Sequence, residues 1–168
     1  MAISSAAILR GDDYSRNGEY RRAWEQYQQV NPAALDDRER HALIVRKASV
    51  LLALDQASAA LQTVSDFYRG RGVQIDQVEV TPALIFAYSY GRMNDYDQSL
   101  AWFLRAHQAA KAERLRSDQA SQGVRLLLAS LNDQQIDQVD RTWTNDPYIN
   151  SLLGAERARR ARNSGFQL

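Results

Sequence analysis

Two histidines, His41 and His107, are the only imidazoles in the 168-residue chain, and cysteine is absent. A metal centre or a general acid–base pair needs several such groups converging on one face. These two stand far apart, and neither has a carboxylate at metal-ligating spacing on one helical face. Each reads as a surface or half-buried helix residue. The lack of cysteine excludes disulfides, thiolate metal ligands and cysteine nucleophiles. Asp12-Asp13 and Asp36-Asp37 are adjacent carboxylates, but helix neighbours point about 100° apart, so neither pair makes an acid–base couple. Asp36 or Asp37 reads instead as an N-cap, since Arg38 to Arg40 follow directly. Gly70-Arg71-Gly72 fits no phosphate loop, and no P-loop or nucleophile elbow is present. The expectation is a protein that is not an enzyme and carries no cofactor or metal.

The run Glu156-Arg157-Ala158-Arg159-Arg160-Ala161-Arg162 could grip phosphates. It is short and lacks interleaved aromatics, and the whole chain carries 21 basic against 20 acidic residues. Nucleic acid is therefore not the expected partner. A solvated terminal-helix face, with its cations favourably placed near the helix C-terminus, accounts for the run.

The elements that hold these residues are helices. Alanine makes up a large part of the 45% hydrophobic content, and only 3 prolines and 8 glycines occur. That favours closely packed helices over a sheet protein with many turns. Helix–turn–helix patterns recur along the chain. Asn17-Gly18 precedes Tyr20, Ala23, Tyr27 and Val30, with Ala7, Gly11 and Tyr14 upstream. A turn near Asp55 separates Ile44, Ala48 and Leu51 from Ala57, Ala60, Val64 and Phe67. Asn94-Asp95 lies between Ala83–Tyr90 and Tyr96–Ala106, and Asn132-Asp133 between Val124–Leu131 and Ile136–Trp143. The small residue opening each second helix advances from 23 to 60, 99 and 139, in steps of 37, 39 and 40. So even a period predicts a repeat architecture. One domain over 1–168 follows, with units at 4–36, 37–72, 80–114 and 117–146 and a terminal helix at 147–163 stopped by Asn163-Ser164-Gly165. Residues 73–80 alternate apolar and polar like a strand. With no strand to pair with, they read as an extended linker.

The first and third units resemble the tetratricopeptide repeat, whose pattern is W-x2-L-G-x2-Y, then A-x3-F, then P. Gly11, Tyr14, Ala23 and Tyr27 match it in the first unit, and Phe86, Ala87, Tyr90, Ser99 and Phe103 in the third. Ala7 and Ala83 replace the tryptophan, Arg10 replaces the leucine, and the closing proline is missing from its slot. The period also exceeds the family's roughly 34 residues. The resemblance implies an all-α, right-handed solenoid of antiparallel helix pairs, with the last helix as a polar-faced cap.

In such arrays the first helix of each unit lines a concave groove. Carried over by position, the groove comprises Ile8, Asp12, Ser15 and Arg16, then Val45, Ser49 and Leu52, then Leu84, Tyr88 and Arg92. It is expected to be mainly apolar and to bind an apolar or amphipathic segment of another protein, as an adaptor or chaperone-like module. Bacterial secretion chaperones built from such repeats are similar in length. A self-assembling scaffold domain excised from a larger bacterial protein is the alternative, with a homo-oligomer as its consequence. The ending Gly165-Phe166-Gln167-Leu168 resembles a turn into another unit and favours that origin. No stretch approaches the roughly 18 apolar residues of a membrane span, and the N-terminus lacks a signal's basic and apolar regions. A cytoplasmic location is expected, with a processed extracytoplasmic protein as the other possibility.

Overall fold

The protein was analysed as a computed structural model, which describes residues 3–165; Phe166 to Leu168, expected to begin a further turn, lie outside them. Among the described residues the fold is all-α, with no strand. The helices are α1 (Ile3–Arg16), α2 (Tyr20–Gln28), α3 (Asp37–Ala53), α4 (Ala57–Arg69), α5 (Val80–Arg92), α6 (Tyr96–Ala112), α7 (Asp118–Ser130), α8 (Asp133–Trp143) and α9 (Pro147–Gly165). Two 3-10 turns, Pro32–Ala34 and Ile75–Gln77, interrupt the longer connections. The second falls within 73–80, so that linker is neither a strand nor fully extended.

One turn geometry recurs. Gly18, Asp55 and Asn94 take positive φ values of 76°, 60° and 62°. In each case the next amide reaches back to a carbonyl five residues earlier: Glu19 to Tyr14 at 2.9 Å, Gln56 to Leu51 at 2.8 Å and Asp95 to Tyr90 at 2.9 Å. This 6→1 bond satisfies an orphan carbonyl at the end of α1, α3 and α5. Glycine, aspartate and asparagine tolerate the left-handed conformation it requires. The α7–α8 junction differs: Leu131 is extended, and Asn132 exchanges capping-box bonds with Gln135. Asp36 and Glu39 form the same box at the start of α3, which settles the N-cap on Asp36.

Small residues let paired helices touch. A Cβ on Gly11 would lie 2.3 Å from the Tyr27 ring, and one on Gly123 would lie 2.2 Å from the Phe103 ring. Between α5 and α6, the buried Ser99 hydroxyl donates to the Ala87 carbonyl at 2.8 Å. From α1 to α7 each helix packs on the next, α3 also meets α5, and α7 packs on α9. The core has two parts. One gathers α1, α2 and one face of α3 around Tyr27 and Leu43; the other runs from α3 to α9 around Phe86, Phe103 and Leu128. Helix α5 is buried on nearly every side, from Pro82 to Ala87, because α3, α4, α6 and α7 all pack against it.

Helix α9 covers α7 and α8 with Ile149, Leu152 and Leu153 buried. It continues through Asn163 and Ser164 to Gly165 rather than stopping at 163. Its arginines are not simply a solvated face. Arg157 pairs with Asp137 and Asp140 of α8, each at 3.0 Å. Arg160 pairs with Asp133 at 2.7 Å and donates to the Leu128 carbonyl at 3.0 Å, closing the end of α7. Both Arg159 and Arg160 clasp the buried Glu156 carboxylate. The Arg159 hydrogen bond, outweighing burial, draws that carboxyl down to about 2. The charge of Arg157, Arg159 and Arg160 is thus spent on holding the terminal helix in place.

The glycine contacts make a direct prediction. Gly123→Ala should lower the unfolding free energy by about 1–3 kcal/mol, because the buried Phe103 ring must shift. Gly154→Ala, with nothing within 4 Å of its Cβ, should raise it by about 0.5–1 kcal/mol through helix propensity alone. Urea denaturation of both variants checks the pair; equal midpoints would refute the close helix contact.

Candidate functional site

The largest cavity, about 600 Å³ and open to solvent, lies along α1, α3 and the start of α5. Five of the groove residues expected from the sequence line it: Asp12, Ser15, Arg16, Val45 and Ser49. The remainder are placed elsewhere. Ile8 is half-buried against the α1–α3 core. Leu52 and Leu84 are core residues, 9% and 7% exposed, because α3 and α5 are enclosed by neighbours on more than one side. Tyr88 is half-buried, its ring edge-on to Phe103 at 5.1 Å. Arg92 donates to the Leu52 carbonyl at 2.7 Å and pairs with Asp55 at 3.3 Å, so it ties α5 to the end of α3. The leucines expected to supply the apolar character lie in the core, yet the cavity wall still exposes more apolar than polar surface.

Its centre is a three-residue cluster. The Arg46 guanidinium grips Asp12 with two hydrogen bonds, of 2.8 and 3.1 Å, and the Tyr27 hydroxyl donates to the same carboxylate at 2.6 Å. Burial alone would raise the Asp12 carboxyl. The Arg46 and Tyr27 hydrogen bonds outweigh it and hold the group below its ordinary value of 3.8. Burial and the bond to Asp12 push the Tyr27 hydroxyl far up, so it stays a proton donor. The hydrogen bond to Asp12 likewise holds Arg46 in its charged form. Such a bidentate, charge-assisted arrangement is rigid. It joins α1 to α3 and fixes the groove floor.

Around that floor, Ala42 and Val45 present apolar surface, while Ser15, Ser49 and Thr81 present hydroxyls. Arg16, bound to Asp13 at 2.5 Å, and Glu79 bring opposite charges to the lining. His41 lies in the wall with its Nε2 2.7 Å from the Tyr68 hydroxyl. Burial, with a lesser contribution from the Glu79 charge, pushes Tyr68 up to about 12. The polar tips at the floor, those of Asp12, Arg46 and Tyr27, are bound to one another. Among the described residues, no three His, Asp or Glu side chains gather closely enough to hold a metal ion. No helix among them is long and apolar enough to cross a membrane.

Reasoning from position alone omitted Arg46, His41, Glu79 and Thr81. A signal for Arg46 was present. Opposite charges at 12 and 46 sit 34 residues apart on successive first helices, where side chains one unit apart can meet.

Asp12→Asn should lower stability at pH 7 by about 1–2 kcal/mol, the worth of charge-assisted hydrogen bonds at a half-buried site. A carboxyl held below its ordinary value stabilises above that value, and the effect is lost as pH falls through 3.8 and below. The gap between the two proteins should therefore narrow on acidification. Urea midpoints across that range check it; a gap independent of pH would contradict the Asp12–Arg46 assignment.

Comparison with protein-family models, curated proteins and solved structures gives no match.

Proposed function

We propose that the chain is a protein-binding module: a right-handed solenoid of tetratricopeptide-like helix pairs whose groove along α1, α3 and α5 receives an amphipathic segment of another polypeptide. The observation that carries the reading is the open cavity of about 600 Å³ on the first helices of successive pairs. The short left-handed turns at Gly18, Asp55 and Asn94 each join two helices that pack together, which supports the helix pairs. The contact of α3 with α5, one pair to the next, supports stacking of the pairs.

The lining suits a peptide better than a small reactive substrate. Apolar patches from Ala42 and Val45 would seat side chains, and the hydroxyls of Ser15, Ser49 and Thr81 could meet main-chain amides and carbonyls. Arg16 and Glu79 give the groove a polarity that would orient a charged segment. The Asp12–Arg46–Tyr27 cluster serves as a rigid floor, so little ordering is needed when the segment binds.

A phage-displayed peptide library selected on the wild-type protein tests this. Peptides enriched on wild type should bind at least ten-fold more weakly to a Ser49→Tyr, Thr81→Tyr double variant, which fills the cavity mouth at two exposed positions. Circular dichroism should be unchanged, since exposed substitutions away from structural contacts cost about 0.5 kcal/mol or less. Failure to enrich any peptide that the double variant binds at least ten-fold more weakly would overturn the reading.

A further inference from the structure

A second groove, about 440 Å³, lies at the opposite end of the chain between α7 and α9. We infer that it docks an acidic, amphipathic helix of a partner protein, independently of the α1–α3–α5 cavity. Its floor is apolar: Leu126 and Ala129 from α7, Leu152 and Ala155 from α9. Leu126 is 62% exposed, the most exposed large apolar side chain among the described residues. The alanines keep the two walls low, so a third helix could approach closely and lay an apolar stripe against Leu126.

The rim decides what kind of helix fits. Arg125, Arg159 and Arg162 stand along the two walls, and Glu156 is the one carboxylate lining the groove. Glu156 is buried and already clasped by Arg159 and Arg160, so it presents no free negative charge. Arg125 and Arg162 form no ion pair with any described residue. Two unneutralised guanidiniums beside exposed leucine favour carboxylates flanking an apolar stripe. A second copy of this chain is disfavoured as the occupant. A two-fold contact brings the same patch against itself, which would set these arginines against their own kind.

The test uses two synthetic helical peptides that share one leucine–alanine stripe and differ only in glutamate or lysine flanks. Fluorescence anisotropy should give at least ten-fold tighter binding of the glutamate peptide, weakened by added salt. Arg125→Glu with Arg162→Glu should abolish or reverse that preference, and Leu126→Ser should weaken the glutamate peptide at least ten-fold. All three side chains are exposed, so the variants should keep the wild-type circular dichroism. Ser49→Tyr with Thr81→Tyr should leave this binding unchanged, which separates the site from the α1–α3–α5 cavity. The proposal fails if neither peptide binds at millimolar concentration, if both bind equally, or if only the Ser49 and Thr81 variant loses binding. It also fails if the protein self-associates through Leu126.

Discussion

Close approach of paired helices, small residue against aromatic ring, is the constraint on which the rest of the structure depends. The Tyr27 ring lies where a Cβ on Gly11 would be, and this places its hydroxyl against Asp12. Asp12 in turn holds Arg46 of the following pair. One packing contact therefore joins three helices and creates the polar floor of the largest cavity. Phe103 against Gly123 plays the corresponding part between α6 and α7, where no polar cluster is built on it. Packing sets the helix spacing at both places, and only the first carries a charged network.

That network also limits the chemistry open to the cavity. Asp12, Arg46 and Tyr27 bind one another, and a group engaged in this way is a poor general base or nucleophile. What remains is a lining of hydroxyls and small apolar side chains. Burial has the same effect on α5: enclosed by four helices, it offers the groove mainly Thr81 of its first turn. The α4–α5 linker is held in place as well, since Arg105 of α6 donates to the carbonyls of Asp76 and Val78. The entrance to α5 is thus fixed from two sides.

Much of the helix layout was legible because its signals are local. Asn17-Gly18 and Asn94-Asp95 mark turns by their tolerance of positive φ, and Asp36-Asp37 marks a helix start. Burial of Leu52 and Leu84 was not legible. Helical spacing shows which residues share a face; how many neighbours enclose that face depends on the packing of distant segments. The arginine run was misjudged for a similar reason. Its partners, Asp133, Asp137 and Asp140, lie on the preceding helix and are recognisable only once α8 and α9 are laid together. Asn163-Ser164-Gly165 reads as a stop, yet α9 runs through it; terminal propensities are small and easily outweighed.

The central claim is that the faces of α1, α3 and the start of α5 form one receptive groove. Amide chemical-shift mapping of the isotopically labelled protein, titrated with a peptide selected on it, tests that claim most directly. The account predicts shifts clustered at Ser15, Ala42, Val45, Ser49 and Thr81, with α7 and α9 unmoved. Shifts confined to α7 and α9, or scattered over the convex side, would contradict it.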